Sequence, residues 1–156
     1  MRRKEKEIKQ IDKLLAVIDQ CDVCHLGMAK DNIPYVVPLN FGYSYLNNKL
    51  TLYFHCAQDG KKIKILKQNP NVCFEMYCNG KLINGDIACK YTFQFQSIIG
   101  YGKASIINKY NEKITALDLL MKHQSKSNEP FTYEEKLIEK IHVFKIDVIS
   151  FSGKQS

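Results

Sequence analysis

The chain contains no tryptophan, and its only arginines are Arg2 and Arg3. Any aromatic stacking in a site must therefore come from nine tyrosines or eight phenylalanines. The net charge of +7 favours polyanionic or phosphorylated partners in general. Clustered arginine and long blocks of like charge are missing, however, so a basic barrel for single-stranded nucleic acid has no motif behind it. No apolar run reaches the roughly eighteen residues of a membrane-spanning helix, so none is expected. The opening is charged and then amphipathic, without the apolar centre of a secretory signal. A cytoplasmic setting is expected, in which Cys21, Cys24, Cys56, Cys73, Cys78 and Cys89 stay thiols rather than forming a disulfide framework. No G-x-G-x-x-G follows a strand pattern, and there is no Walker lysine motif and no serine hydrolase elbow. Dehydrogenase-type and P-loop folds are thereby set aside. There is also no internal repeat and no alternation of single strands with single helices.

Within 156 residues, 45% hydrophobic and 25% charged, one domain over 1–156 with one sizeable core is expected. The rest of the chain is arranged around Leu50–Pro70. Leu50, Leu52, Phe54 and Cys56 alternate with Thr51, Tyr53 and His55, which predicts a strand. Ala57-Gln58-Asp59-Gly60 breaks it, and a short helix from Lys61 carries Ile63 and Leu66 on one side. Asn69-Pro70 stops that helix, because proline lacks an N–H and restricts its predecessor. Two lysines in a first helical turn are locally unfavourable, since a helix start already carries about half a positive charge. The same grouping of ammonium and free N–H groups makes a phosphate socket. A solvated basic helix face is the alternative reading.

Ile8, Ile11, Leu14, Leu15 and Ile18 recur at helical spacing, so 1–20 is expected to hold an amphipathic helix packed on the main body. Strands are predicted for Val23–Ala29 and, after a Lys30-Asp31-Asn32 turn, for Ile33–Tyr45. In the latter, Tyr35, Val37, Leu39, Phe41 and Tyr43 share one face and Val36, Pro38 and Asn40 the other. Pro34 and Pro38 mark it as an edge, with backbone groups near Pro38 free to meet a flat ligand or solvent. Asn47-Asn48 is a turn, Val72–Cys78 a strand, Asn79-Gly80 a turn and Ala88–Ile107 a long β segment. Gly100 and Gly102 in that segment indicate a bulge or close backbone approach. Ile114, Leu117, Leu120 and Met121 mark a second amphipathic helix, and 123–130 reads as a polar loop. Thr132 with Glu135 fits a capping box for a short helix, and His142–Phe151 is a last strand. About six antiparallel strands with flanking helices make a mainly β protein, a small and partly open barrel.

Cys21-Asp22-Val23-Cys24-His25 spells both a c-type haem attachment pattern and a redox CxxC. Haem attachment normally needs export, no second cysteine pair supplies zinc spacing, and the motif runs into a strand. It is read as structural. His55 stands out among four histidines because it leads into Gly60-Lys61-Lys62, where it can contact a ligand or handle protons near neutral pH. A structural histidine is the alternative. His25, His123 and His142 show no comparable neighbourhood in sequence.

Several segments taken together resemble one family. They are Pro34–Phe41 (PYVVPLNF), Tyr53–Ala57 (YFHCA), Gly60-Lys61-Lys62, Asn69-Pro70 and Ser97–Lys103 (SIIGYGK), with Met1–Lys4 and the Glu112–Met121 helix in the same order. This order is similar to that of nitroimidazole-resistance (Nim-type) proteins in the pyridoxamine 5'-phosphate oxidase-like, FMN-binding split-barrel superfamily. The resemblance implies a six-stranded antiparallel split β-barrel, active as a homodimer with FMN at the subunit interface and a small-molecule substrate. Val37, Pro38, Leu39, Asn40 and Phe41 would flank the flavin ring, and His55, Cys56 and Ala57 would line it. Gly60, Lys61 and Lys62 would hold the phosphate. Gln96, Ser97 and Ile98 would approach from a neighbouring strand or the other subunit. His55 matches the family's functional histidine and would be catalytic in nitroaromatic reduction, with no metal involved. A non-catalytic flavin- or haem-binding protein, or a related oxidase with another substrate, is the alternative. Pyridoxamine-phosphate oxidation itself fits less well, because the C-terminal end lacks the arginine-rich pattern of the true oxidases.

Overall fold

The computed structural model describes residues 3–156. Met1 and Arg2 of the opening basic stretch lie outside the described residues. Eight strands form one antiparallel sheet: β1 (Glu7–Ile8), β2 (Val23–Lys30), β3 (Ile33–Asn40), β4 (Gly42–Leu46), β5 (Lys49–Ala57), β6 (Asn71–Ile83), β7 (Thr92–Ile107) and β8 (Ile141–Gln155). The helices are α1 (Ile11–Gln20), α2 (Lys61–Gln68), α3 (Tyr110–Ser125) and α4 (Glu135–Ile138). The strand order is β3-β2-β6-β7-β8-β5-β4, with β1 paired to β8.

The two ends of that order, β3 and β4, are consecutive in the chain and separated only by Phe41. The sheet therefore curls until its ends meet at one corner, yet among the described residues no strand pairing closes the seam. This corrects the expected six-stranded barrel. The single strand predicted over 33–45 is two strands, because at the corner the Phe41 side chain is wholly buried and the next residue has no room for a Cβ. A Cβ on Gly42 would lie 2.4 Å from the Leu120 backbone of α3. Ile8 belongs to β1, opposite Gly153, so the helix starts only at Ile11.

Other boundaries shift for identifiable reasons. Asn79-Gly80 is a bulge inside β6, where Asn79 takes the left-handed conformation at φ 57° and the register slips between Cys78 and Lys81. The true two-residue hairpin turns are Asp31-Asn32 and Asn47-Asn48, all four with φ between 52° and 61°. Residues 123–125 continue α3, which extends the second helix beyond its apolar stripe. α4 exists, but its N-cap is Glu134 without a side-chain bond, so Thr132 does not cap it. β8 runs on through Gly153-Lys154, because β1 and β7 pair with that end. Both predicted features meet at Gly102: the register slips between Tyr101 and Gly102, and a Cβ there would sit 2.7 Å from the Asp147 carbonyl oxygen. At Gly100 a Cβ would instead meet the Phe74 ring, 2.3 Å away, and not backbone.

The main core fills the inside of the curl, where Phe54 stacks on Phe144 at 5.0 Å and lies tilted to Phe41 at 6.5 Å. A second apolar cluster of Ile107, Ala116, Leu117, Ile138 and Val143 lies beneath α3 and α4. Gly42→Ala is expected to destabilise the protein by about 1–3 kcal/mol, since the obstructing atoms are helix backbone and cannot rotate away. Urea unfolding that leaves the midpoint of Gly42→Ala unchanged would refute this account of the corner.

Candidate functional site

β5 delivers Thr51, Tyr53 and His55 to the outer face of the sheet while Leu50, Leu52 and Phe54 enter the core. The next four residues turn onto α2. Asp59 Oδ1 accepts from its neighbour Gly60 N (2.9 Å) and from Lys64 Nζ (3.1 Å), so the carboxylate shapes the turn and engages Lys64. The Lys64 ammonium holds the Asp59 carboxyl below its usual range. Gln58 donates to the carbonyl of Glu139, which ties the turn to the end of α4.

α2 starts without a side-chain cap, so its first-turn N–H groups have no capping oxygen. Its first turn contains no acidic residue. Lys61 lies over the Tyr35 ring, 4.6 Å from its centroid, which joins α2 to β3. Lys62 has no carboxylate within ion-pair distance among the described residues. Nothing lies within 4 Å of where a Gly60 Cβ would be, so the space before the helix start is open. Uncapped donors, two ammonium groups and open space suit a phosphate.

His55, at an exposed position of β5, is held below the usual histidine range by partial desolvation of its ring and then by the Lys62 ammonium. Burial raises the Cys56 thiol, an effect that Lys62 opposes. His55, Cys56 and Lys62 therefore share one neighbourhood, beside Ala57 and Gly60. β3 is an edge strand, as its prolines predict, with Pro38 opposite His25 and Pro34 opposite Ala29 on its one partner, β2. Val37 and Leu39 turn partly inward, and Pro38 is exposed on the outer face.

Two residues of the predicted flavin wall are committed elsewhere. The Phe41 side chain is in the core and its carbonyl accepts from Gln124 Nε2 at 3.0 Å. Asn40 Nδ2 donates to the Asp22 carbonyl (3.1 Å) and to Gln124 Oε1 (2.9 Å). Gln96, Ser97 and Ile98 lie on β7, paired to β6 and β8, and so are not neighbours of β3. Gln96 Oε1 accepts from Asn79 Nδ2 at 2.7 Å, and Ile98 is fully buried. The CxxC cysteines are both buried, and burial drives both thiols well above their usual range, which leaves little thiolate. His25, next in the motif, points outward to Glu75 Oε2 at 3.1 Å.

The family profile for pyridoxamine 5'-phosphate oxidase matches residues 10–155. The chain belongs to that family. A provisionally named 5-nitroimidazole antibiotic resistance protein of Bacteroides thetaiotaomicron is 33% identical, with a TM-score of 0.82 over 96% of this chain and 86% of its own. The flavocytochrome Anf3 of Azotobacter vinelandii shares the fold at 19% identity, with a TM-score of 0.80 over 100% of this chain and 72% of its own. So does an FAD- and haem-binding protein of Mycobacterium smegmatis, at 15% identity and a TM-score of 0.81, over 97% of this chain and 73% of its own. No curated protein matches the chain.

Sequence reasoning missed His123. Its side chain is 3% exposed, Nε2 donates to the Cys21 carbonyl at 2.8 Å, and the ring lies 4.5 Å from that of Phe41. Its signal was present in sequence: i, i+3 spacing from Leu120 continues the buried face of α3. Burial holds it below the usual range, the Cys21 hydrogen bond opposing. His142 is also lowered, by burial and then by Lys67 and Lys113.

These shifts fix the sign of one pH effect. His55, His123 and His142 each bind protons less readily when folded, so the unfolded chain gains protons first on acidification. Stability is therefore expected to fall as pH drops through about 6.5, the unfolded histidine value. Urea midpoints measured across that range check this, and a flat profile would contradict it. Lys62→Gln should raise the His55 pKa in an NMR titration and leave that of His123 in place.

Proposed function

We propose that the protein is an FMN-binding oxidoreductase that reduces nitroaromatic compounds of the 5-nitroimidazole class. The observation that carries the reading is the junction of β5 and α2, where His55 sits beside an uncapped helix start bearing Lys61 and Lys62. The relative named for 5-nitroimidazole resistance, 33% identical over 96% of this chain, supports the substrate class. Lys61, Lys62 and the first-turn N–H groups of α2 would hold the phosphate, and the exposed side of β3 around Pro38 would flank the ring. When bound, the flavin supplies the electron transfer, and a reduced nicotinamide is the proposed source.

The protein's own contribution is binding and proton supply. Two-electron reduction of a nitro group consumes two protons and releases water, so a donor must stand nearby. His55 is the proposed donor through its imidazole N–H. Desolvation is the larger cause of the lowered His55 pKa, and a phosphate on Lys61 and Lys62 would offset the smaller part that comes from the Lys62 ammonium. Loading the site and arming the donor are thus coupled.

The functional unit is proposed to be a homodimer. Gln96 and Ser97 lie on β7, away from β3 and α2, so they reach a flavin held there only from a second copy. The outer face of β6, β7 and β8 carries exposed Tyr77, Ile99, Tyr101 and Ile149, suited to burial against that copy. A chromophore-binding protein without turnover is the second reading, favoured by the names of the flavocytochrome and the FAD- and haem-binding neighbours.

Absorption spectra of the purified protein with added FMN, NADPH and then a 5-nitroimidazole separate these readings. Flavin bands that bleach with NADPH and recover with the nitro compound are expected. Bands that never bleach favour the second reading, and no FMN binding at micromolar concentration rejects the phosphate socket. Lys61→Ala or Lys62→Ala should weaken FMN binding about tenfold or more, the loss of one charge-assisted contact. His55→Gln should retain FMN but lower turnover by about 10²-fold or more.

A further inference from the structure

Past Asn79 the hairpin of β6 and β7 leaves the sheet. β2 pairs with β6 only over 73–75, and β8 pairs with β7 only from Gln96 on. Beyond those limits Leu82 opposes Phe93 and Ile83 opposes Thr92 in a two-stranded arm, with no further strand beside it among the described residues. An isolated two-stranded ribbon is marginal in water. Leu82, Ile83, Ile87, Tyr91 and Phe93 are nonetheless 37–56% exposed. Leu82 and Phe93 share one face and Ile83 lies on the other, so neither face is polar. Together the five side chains leave on the order of 400–500 Å² of apolar surface uncovered. A patch of that size marks an interaction surface.

The base of the arm is fixed. Asn79 Nδ2 donates to Gln20 Oε1 and to Gln96 Oε1, both at 2.7 Å. Ser156 Oγ donates to the Phe93 carbonyl (2.8 Å) and accepts from Phe95 N (3.0 Å). The arm therefore projects in a set direction, and that direction leads away from its own His55. His55 and Ile107 both oppose Val143 on β8, so His55 lies at the Ile107 end of β7. Eleven residues separate Gln96 from Ile107, about 36 Å of strand.

We propose that the arm docks on a second copy of this chain and forms the substrate-side wall of that copy's His55 site. The proposal rests on the functional reading above, in which Gln96 reaches a flavin only from a second copy. A two-fold axis crossing β7 brings the Gln96 end of one strand to the His55 end of the other, and the symmetry repeats the contact in reverse. The arm is continuous with Gln96 in β7 and bound to it through Asn79, so it is carried to the same place. With Tyr77, Ile99, Tyr101 and Ile149, its surface approaches the roughly 800 Å² that each partner buries in a standard interface. A wall built on the Leu82–Phe93 pair is apolar and aromatic, which suits a planar neutral ring such as a nitroimidazole rather than a charged substrate.

The first test needs neither flavin nor turnover. Photoreactive p-benzoylphenylalanine replaces Phe93, the protein is illuminated, and its cross-linked peptides are mapped. A covalent dimer joined to residues 53–68 of the other copy is expected. No covalent dimer, or a link from arm to arm or to any other segment, overturns the proposal. The second test pairs a His55→Gln chain with a Leu82→Ser/Phe93→Ser chain in mixed dimers. Each variant alone should lose about tenfold or more in kcat/KM. In the mixed dimer one site combines an intact His55 with an intact arm, so about half the wild-type turnover should return. Mixed dimers no better than either parent also overturn the proposal, because an arm serving its own chain gives that result. A wild-type protein without nitro-group turnover rejects the functional reading instead, and the cross-link then decides the docking of the arm.

Discussion

At Phe41 the chain leaves one edge of the sheet and enters the other, and among the described residues no strand pairing crosses that seam. A corner of this kind exposes backbone groups that no neighbouring strand can satisfy, so something else must bind them. The end of α3 does so. Gln124 Nε2 donates to the carbonyls of Phe41 and Asp22, and its Oε1 accepts from Asn40, which itself donates to Asp22. His123 donates to the Cys21 carbonyl and packs its ring, tilted, against Phe41. Two chain corners, at 21–22 and 40–41, are latched to the last turn of α3 by this one network. Each bond contributes only about 0.5–1.5 kcal/mol net, but an orphaned partner costs about 1–3, so the network holds as a unit.

The latch determines what the rest of the molecule can offer. Because α3 closes the seam at the Asn40 end, β3 stays an edge strand along its length, with Pro38 and Val36 exposed and pairing only to β2. At its other end, α2 reaches β3 through Lys61 and Tyr35, and Asn69 Nδ2 donates to the Ala29 carbonyl of β2. The lysine-bearing helix start and the free strand edge are thus fixed relative to one another by packing, not by a flexible loop. At this end the Asn40 Nδ2 and the Phe41 ring serve the seam.

Much of this was legible in local pattern. Alternation located β2, β5 and the inner residues of β3, because a half-buried strand must repeat every second residue. Asp31-Asn32 and Asn47-Asn48 announced their turns, since these residues tolerate the left-handed conformation. The junction of His55 with Lys61 and Lys62 could be read because it is contiguous in the chain. What could not be read depends on distant partners. Gly42 is the one local mark of the break at Phe41, and its reason, the Leu120 backbone, lies nearly eighty residues on. Asn79-Gly80 has turn composition but sits where β7 continues to pair, so it becomes a bulge. His123 looked like the start of a polar loop because its partners, Cys21 and Phe41, lie far away in sequence. The placement of Gln96 and Ser97 relative to β3 likewise followed from strand order, which local pattern does not encode.

The magnitudes at α2 explain why a helix with such awkward charges forms at all. It carries four lysines in eight residues, two of them in the turn where the macrodipole is positive. Each cation there costs about 0.3–1 kcal/mol. Ile63, Ile65 and Leu66 are buried, and each contributes about 1.5–3 kcal/mol on leaving water. Packing outweighs charge, so α2 folds against β2 whether or not an anion is present. The lysines therefore need no ligand to be tolerated, and their presence alone proves nothing about one. What distinguishes this start from a solvated basic face is the company it keeps. The one carboxylate at the turn, Asp59, is engaged by Lys64 and Gly60. Lys61 is drawn to an aromatic ring instead of a carboxylate, and a histidine lies within the field of Lys62. A phosphate arriving there meets donors already held in place by apolar packing, so little ordering of the protein opposes its binding.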